Sequence, residues 1–406
     1  MKVKSVIGLC LAVLVMVSCS PKQQQKVTGA AEPVFVLDSV IQNAKQQIGL
    51  ELKAIQDSGR ILNPVTVNSG GKIYYCDYSD WRSGFFPGSI WYLSQLTGDK
   101  SLIPVAIQYT ENLHEAQFIT NNHDIGFIVN DSYGNGLRFA NMTAYKDVII
   151  QAAKSLCSRF REVPGVIQSW EPNKRKDWKC PVIIDNMMNL ELLFNATKLS
   201  GDSTYYKVAV SHANRTLKEH FRPDGSCFHV IDYDIQNGTV RHRNTHQGAA
   251  DSSAWSRGQA WAIYGFTMAY RETKDQHYLD QALKTFHYMK DNKNMPEDLI
   301  PYWDMDAPAI PNEPRDASAA AIIASALYEI STLPVDNAVS YKNFADKIMY
   351  SLSTPAYTAK LGTNGNFILE HCVGSKPHNA EVDKPLNYAD YYYLEAMYRK
   401  MNIEKK

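Results

Sequence analysis

Two groups of residues in this chain have types and spacing suited to joint chemistry. One is the stretch Thr245 to Tyr264, THQGAADSSAWSRGQAWAIY, where Gln247, Trp255, Arg257, Gln259 and Trp261 fall within fifteen positions and Gly258 separates Arg257 from Gln259. Indoles offer flat apolar faces to a pyranose ring, while Arg and Gln supply directed donors for hydroxyls and a carboxylate, so the mixture suits sugar recognition. The plainer reading is a helix start whose tryptophans are core and whose arginine is exposed or paired.

The other group is two carboxylates. Asp185 lies in PVIIDNMMNLELLFNA, among Val182, Ile183, Ile184, Met187, Met188, Leu190 and Leu193. So much apolar surface disfavours ionisation, which is how a protein makes a general acid usable near neutral pH. The competing reading is that Asp185 caps a helix beginning at Asn186. Asp124 lies in NNHDIGF, after His123 and before Gly126, and a loop carboxylate is its plainer reading. His229, His123, His242 and His246 each read most simply as structural histidines. No HExxH spacing and no Gly-rich phosphate loop is visible, so neither a metal nor a cofactor is expected.

The elements that must position these residues are mostly helical. Apolar residues recur at helical spacing from Pro33 to Gln56 (Val40, Ile41, Ala44, Ile48, Leu52, Ile55). A loose repeat follows: TGDKSLIPVAIQYTENL at Thr97, NMTAYKDVIIQAAKSL at Asn141, SGDSTYYKVAVSHANRTL at Ser200, TKDQHYLDQALKTFHYM at Thr273 and NAVSYKNFADKIMYSL at Asn337. Each opens with a residue suited to capping and continues with a 3.6-residue period, and a second helical segment lies between copies. About six such hairpins fit, and units of this kind bury their faces only against neighbours. Closed on themselves they form an all-α (α/α)6 barrel; left open they form an α-solenoid. The strand signal is local: Cys227 to Tyr233 alternates, Asn237-Gly238 turns, and Thr239 to Arg243 returns as a small β-hairpin in a loop.

The 406 residues carry 42 basic and 42 acidic side chains, so nucleic acid is not an expected partner. Lys2 and Lys4 precede an apolar run from Val6 to Val17 ending in MVSC, the pattern of a lipoprotein-type signal over residues 1–18. Cys19 is then a candidate for lipidation, residues 19–32 a flexible tether, and residues 33–406 a single catalytic domain. The expected location is the periplasm, with membrane contact only through that anchor. Cys76, Cys157, Cys180, Cys227 and Cys372 are scattered and odd in number, as expected of free thiols.

HDIGF at His123, IIDNMMNLELLF at Ile183, DGSCFHVIDYD at Asp224 and THQGAADSSAWSRGQAWAIYGF at Thr245 resemble, in order and spacing, the unsaturated glucuronyl hydrolases of glycoside hydrolase family 88. DWRSGFFPGSIWYL at Asp80 and DYYYLEA at Asp390 are also similar to that family. The resemblance implies an (α/α)6 barrel acting on lyase-generated oligosaccharides that end in a 4,5-unsaturated uronate. It implies Asp185 as general acid and base, with Asp124 binding ring hydroxyls and tuning it. Gln247, His229 and Arg257 would contact the uronate, with Arg257 as cation for its carboxylate, and Trp261 would stack. His123, Trp255 and Trp81, in the same motifs, complete the expected binding set. Relatives that prefer sulfated fragments carry a Ser- and Lys-containing motif near the C-terminus. The comparable region here is HCVGSKPHNAEVDK, with Ser375 and Lys376 as candidates. The nearest alternative is an unsaturated rhamnogalacturonyl hydrolase, whose WARGNGW differs from WSRGQAW at Trp255. A non-catalytic, lipid-anchored glycan-binding protein would need the tryptophans but not a desolvated Asp185.

Overall fold

The computed structural model describes Met1 and residues 35–405; the expected signal, Cys19 and the tether lie outside the described residues. Six helical segments form an inner ring: α2 (Phe85–Thr97), the run α4 (Ile125–Val129) to α5 (Asn135–Ala140), α7 (Asn186–Ser200), α9 (Ser256–Thr273), α11 (Ala317–Ile330) and α13 (Asn387–Glu404). Each packs on the next, and α13 packs back on α2, so the ring closes and the open solenoid is set aside. Around it lie α3 (Leu102–Glu111), α6 (Tyr145–Cys157), α8 (Ser203–Glu219), α10 (Gln276–Lys290) and α12 (Ala338–Leu352), each beside its inner partner. The first helix, α1 (Leu37–Gln56), lies against α2 and α13 and completes the sixth pair.

The five sequence repeats are the outer helices α3, α6, α8, α10 and α12. An outer helix buries one stripe, as α10 does with Tyr278, Leu279, Ala282, Phe286 and Met289. Inner helices bury most of their circumference: every residue of α9 from Ser256 to Tyr270 is buried, and alanines let α11 pack closely on both neighbours. The expected capping holds for α8 and α10, where Asp202 and Asp275 accept from the backbone N–H of Thr204 and His277. It does not hold for α6 or α12, whose first residues lack a side-chain cap; Asn337 instead sits at φ 53°. No helix among the described residues is long and apolar enough to cross a membrane.

The strands sit in loops, and there are more of them than the sequence suggests. The expected hairpin is present as β6 (Val230–Tyr233) and β7 (Val240–Asn244). It gains a third strand, β5 (Pro181–Ile183), three residues too short to stand out in sequence. Two-stranded ladders β1 (Asn63–Val67) with β2 (Ile73–Cys76), β3 (Phe160–Arg161) with β4 (Val166–Ile167), and β8 (Cys372–Ser375) with β9 (Ala380–Lys384) complete the set. The five cysteines among the described residues are free, three of them buried.

Candidate active site

Asp124 and Asp185 occupy equivalent places, each directly before the first residue of an inner helix. Neither side chain caps its helix. Gly126 allows the two helices to meet: a Cβ there would lie 2.5 Å from Asn189 Cα on α7. Asn189, one turn beyond Asp185, donates its side-chain amide towards Asp124 Oδ1 at 3.4 Å and accepts from the Phe127 N–H at 2.9 Å. Both carboxylates therefore face one end of the barrel, each with 13% of its side chain exposed.

Burial dominates their ionisation. It raises Asp185 to about 7, partly offset by the nearby charge of Arg257 and the indole N–H of Trp261. Trp261 Nε1 and Asp185 Oδ2 do not meet as a formed hydrogen bond, so the contact tempers burial without cancelling it. Burial and then the negative charge of Asp185 raise Asp124 to about 8. At these values the two acids retain at least one proton through much of the neutral range.

The histidines cannot take that proton. His229 Nδ1 accepts from the backbone N–H groups of His246 and Gln247 at 3.1 and 3.2 Å, which assigns the ring proton to Nε2. That nitrogen lies 3.8 Å from Asp185 Oδ2, and burial holds the ring's pKa well below its usual value. The strand ladder fixes this pairing, with Ile183 opposite Val230 and Ile184 N–H donating to the His229 carbonyl. His123 is fully buried, neutral with a pKa lowered by burial to about 3, and packs with Nε2 3.3 Å from Asp124 Oδ1. It supports that carboxylate from behind and is not placed to touch a substrate.

The aromatic stretch departs from its expected role. Trp255 is buried between His229, at a ring distance of 4.5 Å, and the Arg257 guanidinium, also at 4.5 Å. Trp261 is 1% exposed and its ring meets Phe127 and Tyr392, so it reaches the site through its N–H and not as a stacking face. Arg257 is 1% exposed, paired with Asp316 at 2.9 Å and bonded to the carbonyls of Val373 and Gly374. Its charge is matched inside the protein, and its evident work is to fasten β8 to the site. Gln247 donates to the same Gly374 carbonyl at 3.0 Å. Gly258 is required here because a Cβ would lie 2.7 Å from the Trp255 ring. Trp81 is half-buried against Phe85, Phe127 and Tyr388.

Ser375 bonds His378 at 2.7 Å, and Lys376 pairs with Glu313 at 2.5 Å, so the expected Ser and Lys are both engaged. A mouth group that sequence reasoning missed lies beside them. Trp170 and Trp178 stack at 5.6 Å, His246 packs edge-on to both and 4.3 Å from His378, and Lys176 Nζ meets His246 Nδ1 at 3.1 Å. Sequence spacing gave no sign of this group, although Asn189, four residues after Asp185, was predictable as a same-face neighbour.

A cavity of about 640 Å³ lies at the other end of the barrel. We place the reaction at the carboxylates because size supplies no chemistry, whereas two protonatable acids beside a neutral histidine do. Fold and site together define a helical-barrel hydrolase with a pair of buried acids at one end. The family model for Glycosyl Hydrolase Family 88 matches residues 67–402. An unsaturated glucuronyl hydrolase of Formosa agariphila is 49% identical over 80% of each chain. An unsaturated chondroitin disaccharide hydrolase of Streptococcus agalactiae is 31% identical over 83% of this chain and 84% of its own. A solved unsaturated glucuronyl hydrolase specific for heparin superimposes with a TM-score of 0.87 at 42% identity, covering 91% of this chain and 98% of that one. The chain belongs to glycosyl hydrolase family 88.

Proposed function

We propose that the chain is an unsaturated glucuronyl hydrolase in which Asp185 carries the proton. The observation that carries the reading is an uncapped, largely buried carboxyl with a pKa near 7, beside a histidine whose lone pair is already used. The substrate class is an oligosaccharide, glycosaminoglycan-type or related, that ends in a 4,5-unsaturated uronate, a vinyl ether. Asp185 gives its proton to C4, and C5 gains oxocarbenium character. Water adds at C5 and returns a proton to the Asp185 carboxylate. The resulting hemiketal opens by breaking the ring C5–O5 bond, which leaves a ketone at C5 and a hemiacetal at C1; the hemiacetal then collapses to an aldehyde, and the remaining sugar leaves with the hydroxyl proton. Asp124 holds ring hydroxyls and sets the proton affinity of Asp185, while His229 Nε2–H donates to the substrate or the water. The parallel inner helices direct their positive ends at this mouth, which favours the uronate carboxylate. Trp170, with Trp81 and Gln247, is placed to contact the sugars.

Incubation with unsaturated disaccharides from chondroitin, hyaluronan and heparin tests this. The enzyme removes the ultraviolet absorbance of the conjugated double bond, whereas a glycan binder leaves it unchanged. The proposal extends to location: a lipoprotein-type signal over residues 1–18 followed by Cys19 supports a lipid-anchored enzyme facing the periplasm in preference to the cell surface. Fatty-acid incorporation that disappears in Cys19→Ser supports the anchor; unchanged labelling rejects it.

A further inference from the structure

The 640 Å³ cavity lies among the C-terminal halves of the inner helices. Along three of the inner helices an aromatic layer separates it from the carboxylate mouth: Phe127 lies between Asp124 and Asn130, Trp261 between Arg257 and Tyr264, and Tyr392 between Tyr388 and Glu395. These rings touch one another at 5.3 and 5.4 Å. The cavity is thus a separate space.

Three of the cations that line it are matched. Lys198 pairs with Glu272, Arg271 with Glu191 and Glu329, and Arg399 with Glu329 and Glu395. Arg138 differs. It is solvent-exposed, lies 4.2 Å over the Phe139 ring, and is aimed by hydrogen bonds from Nη2 to Tyr92 Oη and Asn135 Oδ1, both at 2.7 Å. Among the described residues it has no carboxylate within ion-pair distance, so a positioned fork of N–H groups is left for an anion. Asn195 donates to Asn130 Oδ1 at 2.8 Å, which leaves the Asn130 amide N–H and the Asn195 amide oxygen available.

A second observation is independent of the arginine. Residues Asn130–Gly134 form a π-helical turn between α4 and α5, a widened turn that is rare and concentrated at functional sites. It carries Asp131 to the cavity wall, buried and with Oδ2 lacking any partner. Burial, and then the charges of Glu395 and Glu191, hold this acid well above the usual carboxylate range, so it offers an O–H donor.

We infer that the cavity is a second ligand site for a small hydroxylated carboxylate of the sugar-acid class. Arg138 meets the carboxylate, and Asn130, Asn195 and Asp131 meet hydroxyls.

Calorimetric titration of the full chain with D-gluconate, with sorbitol as its uncharged counterpart, tests the site. Gluconate is expected to bind wild type and Asp185→Asn alike, to bind Arg138→Met at least tenfold more weakly, and to be preferred over sorbitol. The hydrolytic activity of Arg138→Met stays at the wild-type level. Because Arg138 packs on aromatic rings, Arg138→Lys serves if the Met variant fails to fold; it keeps a point charge without the fork and should weaken binding severalfold. No binding to wild type, equal binding of sorbitol, unchanged binding to the folded Arg138 variant, or loss of binding in Asp185→Asn overturns the inference.

Discussion

The two ends of the barrel bury carboxylates to similar depth, and the ion-paired ones at the far end are held in the opposite state to the pair at the mouth. At the mouth, burial wins: Asp185 stands near 7 and Asp124 near 8. At the far end burial pushes Glu329 upward too, but Arg271 and Arg399 outweigh it and hold the carboxyl at about 2. Glu395 is likewise lowered, with Arg399 offsetting burial and with donors from Tyr92, Tyr264 and Ser325. Depth alone therefore does not make an acid. What distinguishes the mouth is the lack of an ion-paired cation on either carboxylate, since Arg257 is committed to Asp316. Cations at the far end also suit the negative ends of the parallel inner helices.

The largest expected effect comes from removing the proton carrier. Asp185→Asn should lower turnover on the order of 10²- to 10⁴-fold while leaving substrate affinity nearly intact, measured by single-turnover kinetics and calorimetry. At the far end, Glu395→Gln removes one of the two carboxylates paired with Arg399 and should cost roughly 1–3 kcal/mol of stability in denaturant unfolding. Activity per folded molecule should not change, and an unaltered midpoint would erase the contrast between the ends.

Asp124→Asn should act on stability with the opposite sign. A carboxyl raised from about 4 in the unfolded chain to about 8 in the fold binds an extra proton only when folded. Stability from this group is present at low pH and is lost as pH rises from about 4 through about 8. At pH 9 the amide variant should be more stable than wild type by several kcal/mol, and near pH 4 the two should melt together. Equal melting at both pH values would mean that Asp124 is not held neutral. The smallest effect is expected at Lys176, exposed at the mouth beside His246, where Lys176→Ala should raise KM about two- to threefold at low salt and less at high salt.

Much of this arrangement was legible in the chain. Outer helices announce themselves because one face meets water, and the five repeats from Thr97 to Asn337 are those helices. Inner helices such as α9 and α11 are buried all round and carry no such stripe, so only their place between repeats revealed them. Asp185 stood out because its apolar neighbours are adjacent in sequence, and the same proximity correctly implied a raised pKa. Arg257 misled for the converse reason: its partner Asp316 is 59 positions away and its carbonyl partners in β8 are further still. An arginine in an aromatic motif looks free until the fold supplies a carboxylate. The group formed by Lys176, His246 and His378 joins three separate loops and leaves no local signature.

The central claim is that one carboxyl at the start of α7 delivers a proton to carbon. The most direct test is the pH dependence of double-bond absorbance loss in wild type and Asp185→Asn, with substrate binding measured in parallel. The account predicts that wild-type kcat/KM falls as pH rises through about 7, following loss of the Asp185 proton, and that the amide variant binds substrate but leaves the absorbance unchanged. An Asp185→Asn enzyme that consumes the double bond at the wild-type rate would contradict it.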